Sequence, residues 1–311
     1  MRAPVAITGA GLLSPLGIGR EATMGALREG RANIVAPTIF DASLYEMQTA
    51  GEVPDFDPKG HLETPKTYLD RCSALTLAAC YLAVRDAALA WQEVDPARRS
   101  LSHGTACGCL DSLLKVTAKI QQDGARAASP MIFTHALINS PASLAAIEYS
   151  VRGPAPTFAC GALAGAEAIM YGADVIAAGD ADFCMAGGAD AMSEALFAAI
   201  DDAGGPQGPS AISEGAVTLI LESPEKAKAR GARVLGTIVG VGLAENEAEA
   251  LRAAGAEGAE VWARPVDWGY AMGAEMPLRV AVALMTAKGR RVAVTQATGW
   301  GAGAVVVEVA P

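Results

Sequence analysis

Cysteines and histidines are the residues of this chain whose types suit nucleophilic chemistry, and there are six of the first and three of the second. Cys160 ends a short run, PTFAC, and is followed by the small-residue stretch GALAG, which predicts a strand that passes tightly into a helix. A thiolate at the start of a helix can attack acyl groups if a base or a cation supports it. Two interpretations of Cys160 therefore stay open, a nucleophile or a small buried core thiol.

The remaining cysteines lie among apolar and small residues, which favours buried, reduced thiols over disulfides or a metal site. Cys107 and Cys109 form a C-x-C without a second thiol pair or a nearby histidine. All histidines precede Cys160, and none has a cysteine or carboxylate at a spacing typical of a catalytic triad. They are His61, His103 and His135. We expect each of them to be structural.

Motifs for cofactors are missing from the sequence. The segment TGAGLLS places Ser14 where a dinucleotide fingerprint has its third glycine, and no acidic residue ends a second strand about 20 residues later. The chain has no H-E-x-x-H metal motif and no G-x-x-x-x-G-K-[ST] phosphate loop. We therefore expect neither a cofactor nor a metal.

The formal net charge of -10 disfavours nucleic acid and anionic membranes as partners. The longest apolar stretches fall short of the roughly 20 residues that a membrane span needs, and the N-terminus reads directly into a strand without a signal-peptide pattern. We expect a cytoplasmic protein with no membrane contact.

Strand-like and helix-like patterns alternate along the chain, which predicts layered α/β architecture. The predicted strands are 4–9, the segment SHGTACGCL, 156–160, 182–185, 217–222, 234–241, 292–295 and 304–309. The predicted helices are 19–29, 67–93, 140–149, 164–178, 224–230, 244–258 and 276–288. The Gly- and Pro-rich loop at 204–210 suggests a division into a half at 1–210 and a half at 211–311.

Four segments in sequence order resemble the β-ketoacyl synthase family, and a fifth resembles it more loosely. They are VAITGAGLLSPLG, GPAPTFACGALAGAEAI, GDADFCMAGGADAM, EGAVTLILESPEKAKARGARVLGTIVGVG and, more loosely, TGWGAGAVVVEV. The resemblance implies a thiolase-like fold with five alternating layers, αβαβα, formed by two similar halves. After Gly242 the chain is shorter than members of the family, so the C-terminal half is expected to be truncated.

The resemblance also implies which positions would carry the chemistry. The family's nucleophilic cysteine corresponds to Ala162, and Cys160 lies two residues earlier. One catalytic histidine would lie in the segment missing after Gly242, and the other corresponds to Tyr270 in WGYAMGA. The lysine that the family carries five residues before this histidine corresponds to Pro265, with Arg264 beside it. No intact Cys-His-His set is expected.

Candidate contacts with an acyl chain come from the same resemblance. The stretch MIFTHALIN at 131–139 corresponds to a part of the dimer interface that lines or blocks the partner's acyl tunnel, which makes Met131, Phe133 and Leu137 candidate substrate-binding residues. Trp300 in the closing glycine-rich turn is a fourth. Packing in the core or at an interface is the alternative for these side chains.

The resemblance, together with the missing catalytic set, suggests a non-catalytic subunit similar to a chain length factor, paired with an active ketosynthase in fatty-acid or polyketide-type elongation. An acyl carrier protein would then be an indirect partner, and the PTFAC strand would pair across the dimer. Two alternatives stay open: an active acyltransferase or condensing enzyme that uses Cys160, and a homodimeric acyl-binding or scaffold protein.

Overall fold

β-Sheets and α-helices alternate in layers in the computed structural model, which describes residues 3–206 and 211–311. The strands are β1 Val5–Ser14, β2 Gly17–Ile18, β3 Ile34–Val35, β4 Ala50–Gly51, β5 Arg99–Gly104, β6 Thr157–Phe158, β7 Phe183–Asp190, β8 Gly215–Glu222, β9 Gly236–Ala244, β10 Glu260–Val261, β11 Arg291–Thr298 and β12 Gly301–Val309. The helices are α1 Gly19–Glu29, α2 Arg71–Asp86, α3 Leu110–Asp123, α4 Pro130–Phe133, α5 Ser140–Glu148, α6 Ala164–Ala178, α7 Glu194–Asp202, α8 Pro224–Ala229, α9 Glu247–Ala253 and α10 Glu275–Thr286.

Among the described residues, all strands except β3 and β4 belong to one hydrogen-bonded sheet with the order β10-β11-β12-β9-β1-β8-β7-β5-β6 and β2 beside β1. Strand β1 joins the two parts of this sheet, because it pairs with both β8 and β9. The part β1-β8-β7-β5-β6 is called the first sheet below, and the part β9-β12-β11-β10 the second sheet. Strands β7, β5 and β6 are parallel, and β8 is antiparallel to both of its neighbours. The short strand β6 forms the edge of this sheet and pairs with β5 through His103–Thr157 and Gly104–Phe158. The residues just before Cys160 therefore lie at a sheet edge.

The second sheet repeats this arrangement with the order β9-β12-β11-β10. Strand β12 is antiparallel to both neighbours, as β8 is in the first sheet, and β10 is parallel to β11. Within the described ranges, this sheet has no counterpart to β6, and β10 has only two residues. The second half is therefore a shortened copy of the first, as the sequence suggested.

The layers follow the expected αβαβα order. Helices α2 and α5 cover the outer face of the first sheet, α6 and α10 lie between the sheets, and α9 covers the second sheet. Ile169 of α6 and Leu278 of α10 share one buried cluster with Leu219 of the first sheet and Val305 of the second. This central layer joins the two halves.

Glycines allow two helices to lie directly on the strands. A Cβ atom on Gly11 would lie 1.9 Å from the carbonyl oxygen of Ala79 in α2, and one on Gly240 would lie 1.9 Å from the carbonyl oxygen of Ala254 after α9. Larger residues at these positions would force each helix away from its sheet.

Several element bounds differ from the sequence prediction. The predicted end of the strand 182–185 is wrong, because β7 continues through Gly187 and Gly188 to Asp190. A Cβ atom on Gly187 would meet the Val217 carbonyl oxygen at 1.9 Å, so glycine is needed for close strand contact. Helix α2 starts later than predicted because the Asp70 side chain accepts a hydrogen bond from the Cys72 N–H at 3.0 Å and caps it.

The predicted boundary at residue 210 stays a prediction, and residues 207–210 of the predicted loop lie outside the described residues. Strand β8 follows this loop, yet it lies between β1 and β7 in the first sheet. A division between Glu222 and Gly236 would match the strand order better.

One described segment, Gly161–Ala178, is long and apolar enough to cross a membrane by length and composition alone. Half of it is buried in the fold, and α6 supplies most of it as a helix of the central layer. Its apolar character is explained by packing between two sheets.

Candidate functional site

The position expected for the nucleophile lies on a short 3-10 turn, Gly161–Leu163, between strand β6 and helix α6. Gly161 has a φ angle of +73°, which glycine adopts without strain and which reverses the chain at this point. The next residue, Ala162, presents its carbonyl oxygen to the second sheet, where the side-chain Nε2 of Gln296 donates a hydrogen bond at 2.8 Å. The position expected for the nucleophile thus carries only a methyl side chain, and its backbone carbonyl is hydrogen-bonded.

Cys160 lies at the start of this turn and is exposed, so the interpretation of Cys160 as a buried core thiol is wrong. The physical reason is that β6 ends at Phe158, so Cys160 lies beyond the packed strand. Desolvation of the sulfur and a hydrogen bond to Glu167 raise the pKa of the thiol to about 12. At neutral pH this cysteine is a thiol, which is a poor nucleophile.

All six cysteines are unpaired, as expected, and Cys72, Cys80, Cys109 and Cys184 are buried. Cys107 is half-buried, and burial followed by the charge of Asp190 raises its pKa to about 12. Within the described ranges, no group of three or more histidine, cysteine or acidic side chains has the geometry to hold a metal ion.

Tyr270 occupies the position expected for a histidine and lies beside the nucleophile position. Its phenol contacts the amide of Gln296, the same side chain that binds the Ala162 carbonyl. Burial, followed by the charge of Glu275, raises the pKa of Tyr270 to about 12. The phenol can donate a hydrogen bond at neutral pH, but it cannot exchange protons as an imidazole does.

Arg264 does not take over the role of the missing lysine as a free cation. It donates to the Gly269 carbonyl at 2.8 Å and to Asp267 at 2.6 Å, so it stabilises the loop that leads to Tyr270. The buried Glu275 at the start of α10 forms an ion pair with Arg279 at 2.7 Å and also accepts from the Trp268 indole at 3.2 Å. These charges satisfy one another inside the loop and helix.

A buried carboxylate fastens the turn after Tyr270 to the first sheet. Asp190, at the end of β7, accepts hydrogen bonds at 2.8 Å from Thr105 Oγ1 and from the backbone N–H groups of Ala106, Cys107 and Gly273. The first three donors belong to the loop after β5, and Gly273 belongs to the second half. Asp190 therefore holds the two halves of the candidate site in register.

Glycines make room for this turn. A Cβ atom on Gly165 would lie 2.2 Å from the Gly273 carbonyl oxygen, and a Cβ atom on Gly188 would lie 2.3 Å from it. No larger side chain fits at either position without displacing the backbone. The turn is thus seated directly against α6 and β7.

The described contacts of the three histidines do not include Ala162, Cys160 or Tyr270. His103 is buried in β5, and burial lowers its pKa to about 4. His135 packs edge-on against Tyr68 with ring centroids 5.2 Å apart. His61 lies near the surface against the Asp57 carbonyl.

The candidate acyl contacts lie at the surface of the isolated chain. Met131 and Phe133 on α4 are 53% and 51% exposed, and Leu137 follows them at 46%. Trp300 is 98% exposed in the turn between β11 and β12. The backbone N–H of Trp300 donates to Thr298 Oγ1 at 3.2 Å, and the same turn brings Gly301 beside Leu163 of the 3-10 turn. Trp300 therefore borders the candidate site, whereas the other three lie on a separate surface that packs against α3.

Two residues at the centre of this arrangement were not identified from the sequence, Gln296 and Asp190. A signal existed for each: Gln296 interrupts the β-branched run VAVTQAT, and Asp190 follows two glycines at the end of a buried strand. Polar residues in apolar strands are usually satisfied by specific partners. A separate cavity of about 780 Å³ lies elsewhere, lined by side chains between Phe56 and Ala74.

The sequence is similar to those of known proteins. The model of the β-ketoacyl synthase N-terminal domain matches residues 2–214. The chain is 31% identical to 3-oxoacyl-[acyl-carrier-protein] synthase 2 of Vibrio harveyi over 77% of its own length and 62% of the relative's. It is 30% identical to the tetracenomycin polyketide synthase ketoacyl synthase alpha subunit of Streptomyces glaucescens, over 78% and 63% of the two chains. The chain thus spans less than two thirds of the length of these relatives.

Solved structures confirm the expected thiolase-like fold. The ishigamide ketosynthase/chain length factor superposes with a TM-score of 0.86 at 23% identity, covering 100% of both chains. A chain of the AntDE:AntF structure, a type II PKS acyl-carrier protein in complex with its ketosynthase, superposes with a TM-score of 0.82 at 15% identity, covering 99% of this chain and 100% of that one. At these identities the likeness concerns the fold alone.

Proposed function

The chain belongs to the β-ketoacyl synthase family, and we propose that it acts there as a non-catalytic subunit, similar to a chain length factor, that pairs with an active ketosynthase. The observation that carries the proposal is the pairing of Ala162 with Gln296 beside Tyr270. Decarboxylative condensation needs a thiolate and imidazoles near the acyl carbonyl. Here an alanine and a phenol with a pKa of about 12 stand at two of those positions.

The rival function, acyl transfer by Cys160, has less support. A nucleophilic cysteine is activated by a lowered pKa, whereas desolvation and the neighbouring Glu167 raise the pKa of this thiol. The carboxylate opposes formation of the thiolate instead of stabilising it. Cys160 is therefore proposed to be chemically inert in the native protein.

Two features of the surface support a pairing partner. Strand β6 ends the first sheet, and such an edge is usually protected by short length, charge or a partner. Seven of the large exposed apolar side chains lie on α3 and α4 or between α4 and α5: Leu113, Leu114, Ile120, Met131, Phe133, Leu137 and Ile138. Concentration of apolar surface in one region is typical of a protein–protein interface.

The proposed partner is an active ketosynthase, and the proposed product is a fatty-acid or polyketide-type chain. The relatives named above include a polyketide synthase ketoacyl synthase alpha subunit, and a similar fold occurs in a ketosynthase/chain length factor. The net charge of -10 gives little attraction for an acidic carrier protein. We therefore propose that the carrier docks mainly on the catalytic subunit.

Co-expression with a ketosynthase encoded beside this chain tests the proposal. The expected result is a stable complex that condenses acyl groups, while this chain alone releases no carbon dioxide from malonyl carrier protein. A self-associated chain that binds no ketosynthase would favour the homodimeric acyl-binding or scaffold alternative. Tight binding of the carrier to the isolated chain would contradict the assignment of carrier docking to the partner.

A further inference from the structure

Gln296 connects the second sheet to the edge of the first, and we infer that it is a positioning residue for partner binding. The inference rests on the proposed function, because it assumes that β6 and the turn after it face the ketosynthase subunit. Through its hydrogen bond to Ala162, Gln296 would fix the turn that follows β6. A residue of the second half would thereby determine the conformation of an interface segment in the first half.

The turn needs such an anchor because its own backbone is permissive. Strand β6 is held in place by its pairing with β5. The Thr105 N–H adds a hydrogen bond to the Phe158 carbonyl at 3.0 Å. Beyond Phe158 the chain passes through Gly161, which adopts a positive φ angle and, having no Cβ atom, could adopt many other conformations. The bond from Gln296 to Ala162 selects one of them.

Burial of Gln296 argues that its polar group has a specific role. The residue is 2% exposed, and its Nε2 must face Ala162 because a carbonyl oxygen can only accept. Its Oε1 is buried without a hydrogen-bond partner among the described atoms. The amide also contacts the phenol of Tyr270, but leaving its oxygen without a hydrogen bond is costly. The retained amide is explained if it positions the turn.

The neighbouring residue on the same strand offers a matched control. Thr295 Oγ1 donates to Glu247 Oε1 at 2.6 Å, towards helix α9 and away from the first sheet. The variant Thr295→Val removes this bond, and Gln296→Met removes the bond to Ala162 while keeping a side chain of similar length. Each variant loses one hydrogen bond from the same strand, and Gln296→Met also loses the contact with the Tyr270 phenol. Only Gln296→Met loses the link to the turn after β6.

The experiment measures the dissociation constant of each purified variant for the ketosynthase, its melting temperature, and amide hydrogen exchange at residues 157–163. We expect Gln296→Met to bind about fivefold more weakly, the equivalent of one ordinary hydrogen bond. Its exchange at 157–163 should be faster than in the parent chain. We expect Thr295→Val to lower the melting temperature about as much as Gln296→Met does. It should keep the affinity and the hydrogen exchange of the parent chain.

Equal affinities for the parent chain and Gln296→Met would overturn the inference, and so would equal weakening by both variants. If Gln296→Met does not fold, Gln296→Ala gives the same test, because alanine has no side-chain donor for the Ala162 carbonyl. A parent chain that binds no ketosynthase contradicts the proposed function itself. The two failures are therefore distinguishable.

Discussion

The carboxylate of Asp190 lies 2.8 Å from the backbone nitrogen of Gly273, so a residue of the first sheet holds the turn that follows Tyr270. Both carboxylate oxygens of Asp190 accept hydrogen bonds, whereas an asparagine at this position has one accepting oxygen. Its NH₂ group would face backbone N–H donors. We expect Asp190→Asn to lower the free energy of unfolding by about 2 kcal/mol, measured by urea denaturation. Asp123→Asn, which removes an exposed pair with Lys119, should change it by less than about 0.5 kcal/mol.

Cys160 is expected to resist acylation. Desolvation and Glu167 raise the pKa of its thiol to about 12, so the thiolate is scarce at pH 7. Intact-mass spectrometry after incubation with an acyl thioester should show the unmodified chain, and Cys160→Ala should behave identically. An acyl adduct that disappears in Cys160→Ala would instead support the acyltransferase alternative.

Restoring the nucleophile alone should not restore condensation. In Ala162→Cys the new thiol would have Tyr270 beside it instead of an imidazole, and catalytic groups that act as a unit are not recovered singly. We expect no release of carbon dioxide from malonyl carrier protein above that of the parent chain. Measurable condensation by Ala162→Cys would mean that Tyr270 or Gln296 can replace the missing histidines.

Acid should destabilise the chain through His103. Burial lowers the pKa of His103 to about 4, so between about pH 6.5 and 4 the unfolded state binds a proton that the folded state excludes. The free energy of unfolding should therefore decrease by about 3 kcal/mol as the pH falls from 6.5 to 4. Urea denaturation of His103→Gln across this range should show a flatter pH dependence than that of the parent chain.

The alternation of helices and strands was predictable from periodic segments and glycine-rich turns, whereas the thiolase-like fold was implied by the resemblance to the family. Helix α6 matches its predicted bounds, and the apolar strand β8 was predicted within two residues. The extension of β7 through Gly187 was not predictable, because it depends on contact with Val217 about 30 residues later in the chain. The local sequence indicates the propensity of a segment to form a strand, but it does not indicate which other strand will pair with it.

The assignment of the nucleophile and histidine positions to Ala162 and Tyr270 stays a prediction, and the contacts that connect these residues were not predictable. The resemblance placed Ala162 and Tyr270, and the structure brings them together through Gln296. No local pattern shows that a glutamine on β11 reaches a carbonyl 134 residues earlier. The exposure of Cys160 was missed because the strand before it is shorter than its apolar run suggested.

Phe133 provides the last test, which concerns the length of the product. Its side chain is 51% exposed on α4, so truncation should cost little folding stability while changing the surface offered to a partner. If this surface limits the partner's acyl tunnel, Phe133→Ala should shift the products of the complex towards longer chains, measured by mass spectrometry of the released acids. Ile147→Ala, which truncates a 74% exposed apolar side chain on α5, should leave the product distribution unchanged. Unchanged products from a Phe133→Ala complex that still forms would mean that Phe133 contributes only packing at the interface. A shift with Phe133→Ala and none with Ile147→Ala would locate chain-length control at α4.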